Sequence, residues 1–161
     1  MSATSDVIES LTRSRHTLLE TFAGLSNATL DQKGVVGEWS IKNVLAHVAA
    51  WEQTVTGFVP ERLATGAKPA IFAQMTDEDT WNEKEVARHE HLTPQEQVQQ
   101  LAAAREALLQ LIRGLGDEAL NRQHPWPEWK DTLAAYLLDS IGGHEQEHLE
   151  AMQAAVGRLR G

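Results

Sequence analysis

The chain has no cysteine among its 161 residues. That one absence excludes disulfide bridges, thiolate metal ligands and a cysteine nucleophile together, and leaves His, Asp and Glu as the available metal ligands. No uninterrupted apolar run is long enough to span a bilayer, and the first six residues, Met-Ser-Ala-Thr-Ser-Asp, lack the basic and apolar segments of a signal peptide. A soluble, cytoplasmic protein is expected, with no membrane partner. Positive charge is also scarce: 14 Lys and Arg stand against 23 Asp and Glu, a net charge of −9. This is the wrong sign for a protein held on phosphate backbones by counterion release, so nucleic acid is not an expected partner.

The hydrophobic pattern that is present is helical throughout. Ile8, Leu11, Leu18, Phe22 and Leu25 fall on one helical face, and Gly24 with Ser26-Asn27 supplies a stop. Ser40 is a good N-cap for a second helix running to about Phe58, with Ile41, Val44, Leu45, Val48, Trp51 and Val55 inward. Residues 60–93 read as a long crossover containing a shorter helix around Asp77 to Arg88. Thr93-Pro94-Gln95-Glu96 opens a third long helix, closed by Gly114 or Gly116, and a last helix is expected from about Trp129 to Gly157. The length fits a single domain over residues 1–161.

Shifted by 90 residues, the chain matches itself. Leu11, Arg15, Leu18, Leu19, Gly24, Leu25, Leu30, Glu38 and Trp39 recur as Leu101, Arg105, Leu108, Leu109, Gly114, Leu115, Leu120, Glu128 and Trp129. Amphipathic helices share leucines by necessity, but not the Gly, Arg and Glu-Trp matches. The reading is an all-α four-helix bundle built from two pseudo-two-fold related αα-hairpins, with a long crossover between helices 2 and 3. Arg15 and Arg105 are then expected to lay their stems on the core edge and pair their heads with carboxylates. Trp39 and Trp129 are expected to be matching plugs at helix starts.

Seven histidines invite a search for metal ligands. Among them, His144 and His148 continue the apolar stripe Leu133, Leu137, Ile141 of the last helix, so both rings are expected to point inward. His47 sits among Val44, Val48 and Trp51 on the inward side of the second helix. Three imidazoles can therefore converge and leave an open coordination position, as in catalytic zinc sites. Gly142 and Gly143 stand immediately before the pair, where each costs about 1 kcal/mol relative to alanine within a helix. Residues 144–148 also spell H-E-x-x-H, the zinc-protease helix, but only thirteen residues follow for a third ligand and no β-sheet is expected to align a peptide. Glu145 is kept as a candidate catalytic base for a metal-bound water, and Trp51 as a candidate pocket wall. A di-iron carboxylate site needs two E-x-x-H motifs, and Glu145 with His148 forms the only one. His16, His89, His91 and His124 are expected on polar faces or in turns.

The run Gly37-Glu38-Trp39-Ser40-Ile41-Lys42-Asn43-Val44-Leu45-Ala46-His47, followed by His144 and His148 near the C-terminus, resembles the DinB/YfiT-like superfamily. Trp81-Asn82-Glu83 is similar to its colibactin-resistance-type branch. The resemblance implies four long helices, a homodimer, and a divalent metal such as zinc or nickel held by His47, His144 and His148. It implies less about the reaction. Hydrolysis or thiol-dependent transfer on a small-molecule substrate is expected, the thiol being an external one of low molecular weight. The alternative is a non-catalytic binding or resistance protein with a structural or vestigial metal.

Overall fold

The computed structural model describes residues 2–126, 129 and 131–161. Among these the chain is all-α, with only two isolated bridges, Val36 to Trp39 and Gln123 to Thr132. Helices α1 (Ala3–Phe22), α2 (Asn27–Leu30), α3 (Ile41–Thr65), α4 (Glu78–Arg88), α5 (Pro94–Asn121), α6 (Leu133–Leu137) and α7 (His144–Arg160) follow in order. A 3-10 turn, Ala70–Ala73, lies in the crossover, and a π-turn, Leu138–Gly143, joins α6 to α7. The four long helices expected from the sequence are present, the last of them as α6, π-turn and α7 in succession.

Their boundaries differ from the expected ones for local reasons. Helix α3 does not stop near Phe58. It runs through Pro60 to Thr65, because Phe58, Val59 and Arg62 are buried on both sides of the proline and their packing outweighs its local cost of roughly 3 kcal/mol. Gly66 ends it in the left-handed region at φ 67°. The last helix begins at Leu133 rather than Trp129, because the Thr132 side chain accepts from the Ala135 amide and caps it there. Trp129 lies before the helix, almost fully buried among Trp126, His124 and Tyr136. Its repeat counterpart Trp39 is half-buried; Glu128, the other half of the Glu-Trp match, falls outside the described residues.

Two compact units divide the chain. One comprises Met1–Leu25 with Leu109–Gly161. Here α1 packs along α6, the π-turn and α7, burying Val7, Leu11, Leu18 and Phe22 with Leu133, Leu137, Ile141, Leu149 and Met152. The other comprises Ser26–Leu108, where α3 carries α4 through Trp81 and Val86. In α3 every residue from Ile41 to Ala50 is buried, so this stretch has no solvent face and its polar members need internal partners. They have them. The Ser40 and Asn43 side chains form a capping box, Asn43 also bonds Lys33 and Glu90, and the Lys42 ammonium meets Asp31 at 2.7 Å and the carbonyls of Glu90 and Leu92.

Both repeats keep the expected arginine, and both arginines pair with a buried carboxylate. Arg15 of α1 meets Glu145 of α7 within the first unit. Arg105 of α5 meets Glu52 of α3 within the second. The glycines diverge: Gly24 turns the chain at φ 79°, but its counterpart Gly114 stays helical, and Gly116 breaks α5 instead at φ 71° and ψ 175°. That conformation is open essentially to glycine alone. Gly116→Ala is expected to cost about 1–3 kcal/mol in urea denaturation, although a methyl group there would touch nothing within 4 Å. Gly114→Ala, equally uncrowded but helical, is expected to be neutral or stabilising by up to about 1 kcal/mol. Equal losses at the two positions would contradict the backbone explanation.

Candidate metal centre

Helix periodicity places His144 and His148 one turn apart on α7, and the structure sets their rings nearly perpendicular, 82°, with centroids 4.5 Å apart. Their Nε2 atoms are 3.1 Å from each other. Two imidazole nitrogens at that distance either share one proton-donated hydrogen bond or offer both lone pairs to one cation. Burial is the first cause lowering both pKa values. For His144 the neighbouring His148 adds to it and Glu145 opposes it, leaving a value of about 4; for His148 the shift is downward, opposed by Glu147. Both rings are therefore neutral at physiological pH, the state in which imidazole binds metal.

His47 is 4 % exposed on α3, its ring tilted against Trp39 with centroids 5.3 Å apart. The ring nitrogens that His47, His144 and His148 can offer all lie within 4.8 Å of one another, a grouping that could hold a metal ion. The donor set fits such an ion. Zinc–nitrogen bonds of about 2.0–2.1 Å put neighbouring ligand nitrogens about 3.3 Å apart across a tetrahedral edge, close to the 3.1 Å between His144 and His148.

Glu145, the candidate base, is completely buried with its carboxylate directed at α1. Ser14 Oγ donates to Oε1 at 2.6 Å and Arg15 Nε to Oε2 at 2.8 Å. A general base must reach its proton within hydrogen-bond distance, and this carboxylate is committed to α1 instead. Trp51, the candidate pocket wall, is half-buried and meets Trp81 of α4 edge-on at 6.1 Å. Of the remaining histidines, His16 is exposed beside Glu20 and His91 is exposed, as expected. His89 is half-buried at the end of α4, and His124 is stacked on Trp126 at 4.6 Å, its pKa lowered chiefly by burial. Sequence reasoning missed Ser14 entirely; its one signal was its place beside Arg15 on the helix stripe.

The lowered pKa of His144 has a consequence for the metal-free protein. Between about pH 6.5 and about pH 4 the unfolded chain binds a proton on this residue that the native state refuses, so stability rises with pH across that window. The contribution is fully present above about 6.5 and is lost as pH falls through about 4, on the order of 3 kcal/mol in all. In EDTA, urea denaturation at several pH values across this window is expected to show a steeper acid loss for the wild type than for His144→Gln. Parallel curves would contradict the assignment.

Comparison with known proteins bears on the family and the fold. The model of the DinB superfamily matches residues 10–152. An uncharacterised protein of Bacillus subtilis (strain 168), YuaE, is 29 % identical over 141 residues, covering 81 % of this chain and 85 % of its own. A crystal structure of an uncharacterised protein from Escherichia coli UTI89 superposes with a TM-score of 0.82, covering 99 % of this chain and 96 % of that one at 12 % identity. That likeness shows the fold, an all-α bundle.

Proposed function

The chain belongs to the DinB superfamily, and from that premise we propose that it is a metal-dependent enzyme whose His47, His144 and His148 hold a divalent ion, zinc or nickel, and act on a small molecule. One observation carries the reading: two imidazoles kept neutral by burial stand with their Nε2 atoms 3.1 Å apart, and a third ring nitrogen lies within 4.8 Å. Imidazole suits both metals, and three protein ligands leave a position for water or substrate. The ion would polarise a substrate group or lower the pKa of a coordinated water or thiol. Hydrolysis and thiol-dependent transfer are both within its reach, and the thiol would come from outside because the chain has none.

The chain's own residues would hold and shield this centre. His144 and His148 supply neutral lone pairs, and Trp39 packs against His47 so that its ring is held in the fully buried part of α3. Among the described residues no helix is long and apolar enough to cross a membrane. A cytoplasmic homodimer belongs to the same proposal. The experiment is to purify the protein without a histidine tag, measure its metal content, and screen small-molecule hydrolysis and transfer with and without added thiols, in the loaded and metal-free forms. Stoichiometric metal with metal-dependent turnover is expected. Metal without turnover in any screen would leave a binding protein with a structural ion, and no metal at all would overturn the reading.

A further inference from the structure

Resting on the metal-centre reading, we infer that the buried Ser14–Arg15–Glu145 contact, acting with the π-turn Leu138–Gly143, aims His144 and His148, and that Glu145 is a positioning residue. The argument begins with the register of the repeats. The arginines correspond at an offset of 90 residues, Arg15 to Arg105, yet their partners Glu52 and Glu145 stand 93 apart. The caps Ser40 and Thr132, 92 apart, divide the three-residue discrepancy: two residues fall before the caps and one after. From Ser40 to Glu52 is twelve residues, from Thr132 to Glu145 thirteen. Between cap and glutamate the second copy contains the π-turn, which spends one residue more than the α-helix it replaces.

One residue turns an α-helix by about 100°. In an uninterrupted helix the residue twelve beyond Thr132 would face the arginine, and that residue is His144. The π-turn puts Glu145 there. His144, one residue before Glu145, and His148, three after, then lie on the same flank of α7, about 100° and about 60° round from it, so whatever fixes the azimuth of Glu145 fixes both rings together. The anchor is strong: the carboxylate is 0 % exposed and accepts from Ser14 at 2.6 Å and from Arg15 at 2.8 Å. Gly142 and Gly143 fall inside the π-turn, and a Cβ at either would meet its nearest neighbour at 3.6 or 3.7 Å, an ordinary contact. Close packing therefore does not require these glycines. They are the local weakness that lets the helix take the extra residue. In the first copy, where no π-turn occurs, the positions matching His144 and His148 through the glutamates are Trp51 and Val55.

The test compares Glu145→Gln, which keeps the shape and loses the charge, with the milder Ser14→Ala and with Glu52→Gln, which breaks the equivalent pair in the other repeat. Two readouts are taken on the full chain: zinc affinity by competition with a chelator, and the imidazole 15N signals of His144 and His148 in metal-free protein. Glu145→Gln is expected to weaken zinc binding roughly 10-fold or more, Ser14→Ala by less, and Glu52→Gln by under about 3-fold. Both imidazole signals are expected to move in Glu145→Gln and Ser14→Ala and to stay in Glu52→Gln. Unchanged signals in the first two overturn the inference whether or not zinc binds. Shifted signals in a protein that binds no zinc would keep the positioning role and overturn the metal reading alone. Should Glu145→Gln not fold, Ser14→Ala decides by the same two measurements.

Discussion

Replacing His148 with alanine in tag-free protein is expected to lower zinc or nickel affinity by more than the roughly 10–100-fold that loss of an outer hydrogen-bond partner costs a metal site. The reason is coordination number. Three imidazoles form the proposed donor set, with no cysteine in the chain to replace one, so removing a ring removes a bond rather than a preference. Stability reports the same event without any activity assay. A ligand that binds only the native state at 100 times its Kd adds about 2.7 kcal/mol. Wild-type protein is therefore expected to melt higher with zinc at that excess than in EDTA, and His148→Ala to melt at the same temperature in both. The metal-free variant is expected to fold, since the change truncates one half-buried polar ring on α7 and leaves the apolar core of that helix in place. If zinc raises the melting temperature of His148→Ala as much as that of the wild type, the ion binds elsewhere and the proposed centre is wrong.

The second large effect is on the fold. Arg105 and Glu52 are both almost fully buried, with Arg105 Nε 3.1 Å from Glu52 Oε1 and a second guanidinium nitrogen on the same oxygen. Removing one partner strands a charge in the interior, so Arg105→Met is expected to destabilise by about 3–5 kcal/mol. Desolvation offsets most of the attraction in an intact pair. The double replacement Arg105→Met with Glu52→Leu is therefore expected to recover that loss and end near wild-type stability or up to about 4 kcal/mol above it. Urea denaturation of the two single variants and the double variant checks this. Additive losses, with the double variant worse than either single one, would show that the pair does not act as a unit.

The arginines illustrate how far the sequence could be read. Their place in matched stripes announced a pair of equivalent positions, and their need for carboxylates followed from burial. Which carboxylates was not legible. Glu52 and Glu145 are out of step with the 90-residue repeat because the two linkers before the caps differ and a π-turn intervenes, and neither leaves a mark in hydrophobic spacing. For the same reason an offset of 90 carried on to the end of the chain would set His144 and His148 against Thr54 and Phe58, where the ion pairs equate them with Trp51 and Val55. The helix ends were misread where a local signal lost to packing, as at Pro60, or where a later residue caps the helix, as at Thr132; Gly116, one of the two glycines expected to close the third long helix, does break it.

By itself the sequence determined the helical class, the four long elements, the absence of any thiol of the chain's own and the three histidines worth joining, because periodicity, composition and capping act over a few residues and are written in order along the chain. Only the tertiary structure decided that the Glu145 carboxylate turns to Ser14 and Arg15, and that the neighbouring imidazoles stand 3.1 Å apart and neutral. Those outcomes depend on the azimuth of one helix against another. A single extra residue in a π-turn shifts that azimuth by about 100°, and no local pattern records it.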